Sequence, residues 1–157
     1  MITLEQYFLG PQTGLPKPHT LEDEGRAENL LMRREALRQE YYADTGAAPD
    51  IDPDTGTEIS GKRNGSGDGG FRLKDSATSI NPATGKKRLT SHAEARGVDD
   101  SDQKDEFDKW LDQFEDDNGG NSMLQKHGLY REHPDSTPTW CHLTDRAPGS
   151  GKRTFLP

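Results

Sequence analysis

The sequence contains little apolar material. Only 28% of its 157 residues are hydrophobic and 7% are aromatic, whereas glycine and proline supply 17 and 10 residues. Such a composition provides a thin core, so we expect a loop-rich fold of modest stability. The chain also lacks a long apolar run, and residues 1–10 lack a basic segment followed by an apolar one. We therefore expect the chain to have no transmembrane segment and no signal peptide.

Cysteine and positive charge are scarce as well. A single cysteine excludes an internal disulfide framework. Twenty Lys and Arg residues against 28 Asp and Glu residues give a formal net charge of −8. Binding to nucleic acid or to an anionic lipid surface needs clustered basic side chains, and the basic runs at 85–88 and 151–153 are too short to supply them. We therefore expect no nucleic acid and no membrane among the partners.

The length predicts one domain over residues 1–157, since no repeat divides the chain. Turn-forming residues and the lack of periodicity predict an extended N-terminal arm at 1–19, a long Gly/Asp-rich loop at 47–70 and a C-terminal tail at 144–157. Asp50 and Asp54 in the loop are spaced like calcium ligands. The loop lacks the glycine and the final glutamate of a calcium-binding motif, which disfavours calcium.

Periodic apolar residues predict two main helices. Thr20 is a suitable N-cap for a helix over 20–44 that ends at Gly46. Ser101 or Asp102 would cap a second helix, which ends at 118–120 and has an acidic, solvated face. A short helix through 123–126 and strands near 129–130 and 140–143 follow. Together these elements predict an α+β fold in which helices pack on a small antiparallel sheet.

Three residues have the chemistry of a metal site. His92 and Asp99 lie seven residues apart, and the small Ala95 and Gly97 between them allow the chain to bend so that both converge. His142 alternates with Cys141 on a predicted strand, so it can line a cleft while the cysteine packs inward. Two nitrogens and one oxygen, with a fourth position left open, form the ligand set of a catalytic zinc. The spacing alone is weak support, because a chain with five histidines and 28 acids offers such pairs by chance.

The chain also resembles a known family. The pattern His-x6-Asp, followed by Trp-x-His near the C-terminus, is similar to that of zinc D-alanyl-D-alanine carboxypeptidases and endolysin-type peptidoglycan peptidases, in particular their short phage-encoded members. The resemblance extends to segments scattered along most of the chain, which are residues 1–10 (MITLEQYFLG), 70–72 (GFR), 132–143 (EHPDSTPTWCHL) and 148–157 (PGSGKRTFLP).

The resemblance implies a single zinc ion bound by His92, Asp99 and His142. It also implies that Arg72, from the family's Gly-aromatic-Arg step, binds a carboxylate of the peptide substrate with its planar guanidinium. Asp100 is then either a group that supports the ligands or a solvated residue.

The general acid/base has two candidates. Many members of the family have Glu or Asp three residues before the last histidine, where this chain has Thr139. Glu132 is favoured, because short phage relatives have a similar arrangement of Glu, Pro and Trp-x-His, and its carboxylate would accept a proton from the attacking water. Asp135 is the other candidate, although it also suits a turn.

Two functions follow as hypotheses. The first is a zinc peptidase that hydrolyses a peptide bond in peptidoglycan stems or cross-links, with peptidoglycan peptide as its partner. It would be phage-encoded and would reach the wall from the virion or after release from the host cytoplasm. The second is a non-catalytic structural or adaptor protein of the virion, in contact with other virion proteins, that retains a peptidase-like fold.

Residues 59–70 depart from the family, since they lack a strand pattern where the family has a buried strand.

Overall fold

The structure, a computed structural model, describes residues 1–10, 13–61, 69–73, 78–80 and 84–156. Its elements in chain order are the helices and strands α1 (Leu4–Phe8), α2 (Leu21–Thr45), β1 (Thr78–Ile80), β2 (Lys87–Leu89), β3 (Gly97–Ser101), α3 (Glu106–Asp112), α4 (Ser122–Lys126), β4 (Tyr130–Glu132), β5 (Trp140–Thr144) and β6 (Thr154–Phe155). A short 3₁₀ turn at Pro134–Ser136 joins β4 to β5. The predicted α+β class is confirmed.

Helix α2 begins and ends where the sequence predicts. The Thr20 hydroxyl accepts a hydrogen bond from the Asp23 backbone N–H, and the Asp23 carboxylate accepts one from the Thr20 backbone. Gly46 ends the helix with a φ of +73°, a conformation that favours glycine. The buried face of α2 combines apolar side chains such as Leu30 and Leu37 with two buried arginines.

The main sheet has the strand order β3-β5-β4-β6. β5 pairs antiparallel with both β3 and β4, but β6 pairs parallel to β4, so the sheet is mixed and not wholly antiparallel as the sequence predicts. The predicted C-terminal tail, 144–157, thus contributes the strand β6 to the sheet. Backbone N–H groups of Arg131 and His133 on and after β4 donate to carbonyls of the tail, and this pairing satisfies an otherwise open sheet edge.

Two other boundaries differ from the prediction. The 1–19 arm contains α1, which is capped by Thr3 and Gln6 and buries Tyr7 and Phe8. Five residues are too few to produce a helical periodicity in the sequence. The second main helix begins after Asp105, not at Ser101 or Asp102, and ends at Asp112 rather than at 118–120.

Helix α3 begins later in the sequence than predicted because β3 continues through Ser101. The backbone N–H of Ser101 donates to the Glu58 carbonyl, and Ser101 pairs with Trp140 in β5. The Asp102 carboxylate still accepts hydrogen bonds from the N–H groups of Phe107 and Asp108, so it caps the helix from outside its first turn.

The described part of the 47–70 loop, residues 47–61 and 69–70, contains an isolated bridge between Ile59 and Asp100. This stretch runs beside β3, since the Ser60 N–H donates to the Asp99 carbonyl and the Asp99 N–H donates to the Gly69 carbonyl. The loop thereby fixes the backbone around a predicted ligand. No helix in the described part of the chain is long and apolar enough to cross a membrane.

Candidate metal site

Strands β3 and β5 bring Asp99 and His142 together. The two residues lie opposite each other in the antiparallel ladder, so their side chains project from the same face of the sheet. The His142 Nδ1 atom is 2.8 Å from Asp99 Oδ1, and both residues are buried. The neighbouring Cys141 is also buried, and strand alternation directs it to the other face.

His92 reaches the same carboxylate from the turn that precedes β3. Its Nε2 atom is 3.3 Å from Asp99 Oδ1, and its ring centroid is 5.0 Å from that of His142. One donor atom from each of His92, Asp99 and His142 lies within 4.8 Å of the others. The structure thus brings the three predicted ligands close enough to bind a metal ion.

The outer nitrogen of each histidine is held by a second group. His92 Nδ1 lies 2.8 Å from the Gly70 carbonyl oxygen, which can only accept, so Nδ1 carries the proton and Nε2 keeps its lone pair toward Asp99. His142 Nε2 lies 3.2 Å from Ser91 Oγ, which leaves Nδ1 facing the carboxylate. Outer partners of this kind orient ligating histidines and set their tautomers. Sequence reasoning did not identify Gly70 or Ser91.

Gly97 makes room for the Ser91 side chain. A Cβ at position 97 would lie 2.9 Å from Ser91 Cβ, closer still to its hydroxyl, and 3.2 Å from His142 Cε1. Ala95 lies two residues before Gly97. It has a φ of +55°, in the left-handed region that favours glycine. The smaller of these two residues, Gly97, therefore lies beside Ser91.

The charge states of the site suit metal binding. Burial lowers the pKa of His92 to about 4, so its imidazole is neutral near pH 7. Burial alone would raise the pKa of Asp99, but His92 and the hydrogen bond from His142 hold that pKa well below its usual range. Neutral imidazole and ionised carboxylate are the forms that bind metal ions.

Arg72 lies against the ligand set. One of its terminal nitrogens is 3.4 Å from Asp99 Oδ2, and its backbone N–H donates to the His92 carbonyl. Its side chain is 11% exposed. The guanidinium predicted to bind substrate is therefore engaged with the carboxylate of a predicted ligand.

A cleft of about 260 Å³ opens beside the two histidines. Glu132, at the end of β4, is buried in its wall together with His92 and His142. Asp135 does not line this cleft, and its side chain is 93% exposed on the 3₁₀ turn. Thr139, which has a φ of +74°, does not line it either. Of the acid/base candidates, Glu132 alone shares the cleft with the ligands.

Asp100 is neither a solvated residue nor a support of the ligands. It is fully buried on the face of β3 opposite Asp99, where Arg34 donates to both of its oxygens at 2.8 and 2.7 Å. Arg38 donates to it as well, at 3.2 Å. Sequence reasoning missed this cluster, although two arginines spaced four residues apart within the apolar face of α2 were a signal for a buried acid.

A second acidic group lies before and within α3. Donor atoms of Asp102, Asp105 and Asp108 are also close enough for a cation. Asp102 accepts the backbone N–H groups of Phe107 and Asp108, Asp105 accepts the N–H of Thr139, and Asp108 pairs with Arg131 at 2.9 Å. Each of the three carboxylates therefore already has a polar partner in the protein.

Comparisons with protein-family models, with curated proteins and with solved structures find no match to this chain.

Proposed function

We propose that this chain is a zinc peptidase that hydrolyses a peptide bond in bacterial peptidoglycan, in a phage lysis or virion-associated role as in the family it resembles. The observation that carries the proposal is the convergence of His92 Nε2 and His142 Nδ1 on the Asp99 carboxylate, with the other nitrogen of each histidine already held. Structural zinc sites have four protein ligands, whereas three ligands leave a position for chemistry. Two imidazoles and one carboxylate favour zinc over magnesium or calcium, which prefer oxygen.

When bound, zinc supplies Lewis-acid chemistry, which polarises the scissile carbonyl and lowers the pKa of water to about 7. The chain's own part is proton transfer and orientation. Glu132 accepts the proton of the attacking water and delivers it to the leaving amine, since its carboxylate lines the same cleft as both histidines. Arg72 holds the second oxygen of Asp99 and thereby orients that ligand. The substrate contact that the sequence predicts for Arg72 stays a prediction.

Elemental analysis together with a cell-wall assay tests the proposal. The wild type is expected to bind about one zinc per chain and to release peptides from purified peptidoglycan. His92→Ala should lose both properties, because it removes a ligand. His133→Ala is the matched control: this histidine is 41% exposed and does not line the cleft, so zinc and activity should persist.

Glu132→Gln separates metal binding from turnover. The variant keeps the shape of the side chain but cannot accept a proton, so zinc should stay while peptide release falls by roughly 10²–10⁴-fold. Asp135→Asn should leave release unchanged. Zinc in the wild type without peptide release from any wall preparation would contradict the peptidase and leave the virion structural protein as the better hypothesis.

A further inference from the structure

The cleft beside the histidines has a basic component that catalysis does not use. Arg88 on β2 and Arg146 after β5 both line it, although the chain as a whole has a net charge of −8. Arg88 belongs to the basic run 85–88, which is too short for a nucleic-acid surface. Because Arg88 lines the cleft, its positive charge faces the space in which a ligand would bind.

Arg146 is held in place by its neighbours. Its guanidinium donates to the Leu89 carbonyl at 2.8 Å and pairs with Glu94, and its side chain remains 27% exposed. Arg146 thus fastens β2 to the sheet through one nitrogen of its guanidinium, which has further donor groups. A fixed guanidinium binds an anion without first losing side-chain freedom.

Arg88 is the more available of the two cations. It is exposed, and no acidic side chain in the described ranges pairs with it. Within the described part of the chain, Arg88 therefore lines the cleft as a positive charge without an acidic partner. Charge-assisted hydrogen bonds from arginine to a carboxylate are among the stronger polar contacts in proteins.

One part of the cleft lining is apolar. Ala147, Pro148, Phe155 and Leu156 line the same cleft, and Leu156 is 75% exposed. An apolar wall beside two arginines fits a peptide that carries small apolar side chains and a free carboxylate. It does not fit a uniformly charged polymer.

We propose that Arg88 and Arg146 form a carboxylate subsite of the cleft, so that the preferred substrate is a stem peptide with a free carboxylate near the bond that is cut. This inference rests on the proposed function, because it assigns a substrate class to the same cleft. It gives the substrate carboxylate to the hairpin arginines, while Arg72 serves Asp99.

Equilibrium binding of synthetic peptides to the zinc-loaded protein tests the subsite. Three versions of the stem peptide L-alanyl-γ-D-glutamyl-L-lysyl-D-alanine serve as probes: one with both carboxylates free, one with the glutamyl carboxylate amidated and one with the C-terminal carboxylate amidated. Amidation at one of the two positions should weaken binding to the wild type about tenfold, the effect of one lost charge-assisted hydrogen bond. Arg88→Gln should bind all three versions alike.

Lys87→Gln is the matched control, because Lys87 neighbours Arg88 on the same strand, is exposed and does not line the cleft. It should retain the preference for the free carboxylate. Equal binding of the three peptides to the wild type, binding of none, or a preference that survives Arg88→Gln would overturn the subsite. A protein that discriminates between the peptides but never releases wall fragments would keep the subsite and refute the peptidase, so the two failures are distinguishable.

Discussion

The replacement Gly97→Ala tests how tightly the ligand set is packed. The added Cβ would lie 2.9 Å from Ser91 Cβ and 3.2 Å from His142 Cε1. Both neighbours are buried, so there is no open space for the methyl group. Overpacking of this kind reduces the free energy of unfolding by about 1–3 kcal/mol. For a domain of this size each kcal/mol lowers Tm by roughly 2–4 °C.

The same methyl group must displace Ser91 Oγ from His142 Nε2. We therefore expect Gly97→Ala to weaken zinc binding by roughly 10–100-fold, the usual effect of losing an outer hydrogen bond to a ligand. Ser91→Ala should produce a similar loss of zinc affinity with a smaller loss of stability, because it removes the hydroxyl without adding an atom. Competition with a chromogenic chelator measures the affinity.

A double variant separates the clash from other effects. Ser91→Gly combined with Gly97→Ala transfers the side-chain carbon from one residue to the other across the contact. Its free energy of unfolding should exceed the value expected from adding the two single variants by at least about 1 kcal/mol. Urea unfolding of the zinc-free proteins measures this coupling. Additive free energies, or full zinc affinity in Gly97→Ala, would refute the packing argument.

Three further predictions concern the surrounding structure. Ala95→Gly should raise the free energy of unfolding by roughly 0.5–1 kcal/mol, because the left-handed backbone at φ +55° costs an alanine more than glycine loses in chain entropy; an unchanged value in urea unfolding would show that the turn is not strained. Asp100→Ala removes the carboxylate that pairs with buried Arg38, while Arg34 keeps Glu58 and Glu35, and it should cost about 3–5 kcal/mol in the same assay; a loss below about 1 kcal/mol would contradict the role of Asp100 in neutralising Arg38. Zinc-free protein should lose stability as the pH falls from 6.5 toward about 4, because burial lowers the pKa of His92 to about 4 and the unfolded chain therefore takes up the proton first. The expected loss is about 3 kcal/mol, and His92→Gln should flatten this slope in denaturant titrations across that pH range.

Residue chemistry and strand alternation indicated that the three ligands could meet, but the spacing alone did not distinguish them from the other histidines and acids of the chain. The resemblance to a known family singled out His92, Asp99 and His142. Helix α2 could be predicted because its N-cap at Thr20 and its C-terminal glycine at Gly46 are local sequence signals.

The groups that support the site could not be predicted in this way. The contacts of Ser91 with His142 and of Gly70 with His92 join residues 51 and 22 positions apart, and no local pattern encodes them. Strand β6 contains only two residues, so its pairing depends on the edge of β4 rather than on its own sequence. The start of α3 after Asp105 could not be predicted for the same reason, because Ser101 pairs with Trp140 in the sheet and so does not cap the helix.

The neighbouring carboxylates Asp99 and Asp100 do not by themselves define the register of β3. A slip of β3 by one residue would exchange the two faces, so that Asp99 would meet the arginines of α2 and Asp100 would meet the histidines. Each face would still receive one carboxylate, but Ser101 or Val98 would then replace a residue whose size and polarity are fixed by its surroundings. Because both faces accept a carboxylate, the register of β3 is set by Val98 and Ser101, which differ from the two aspartates in size and polarity.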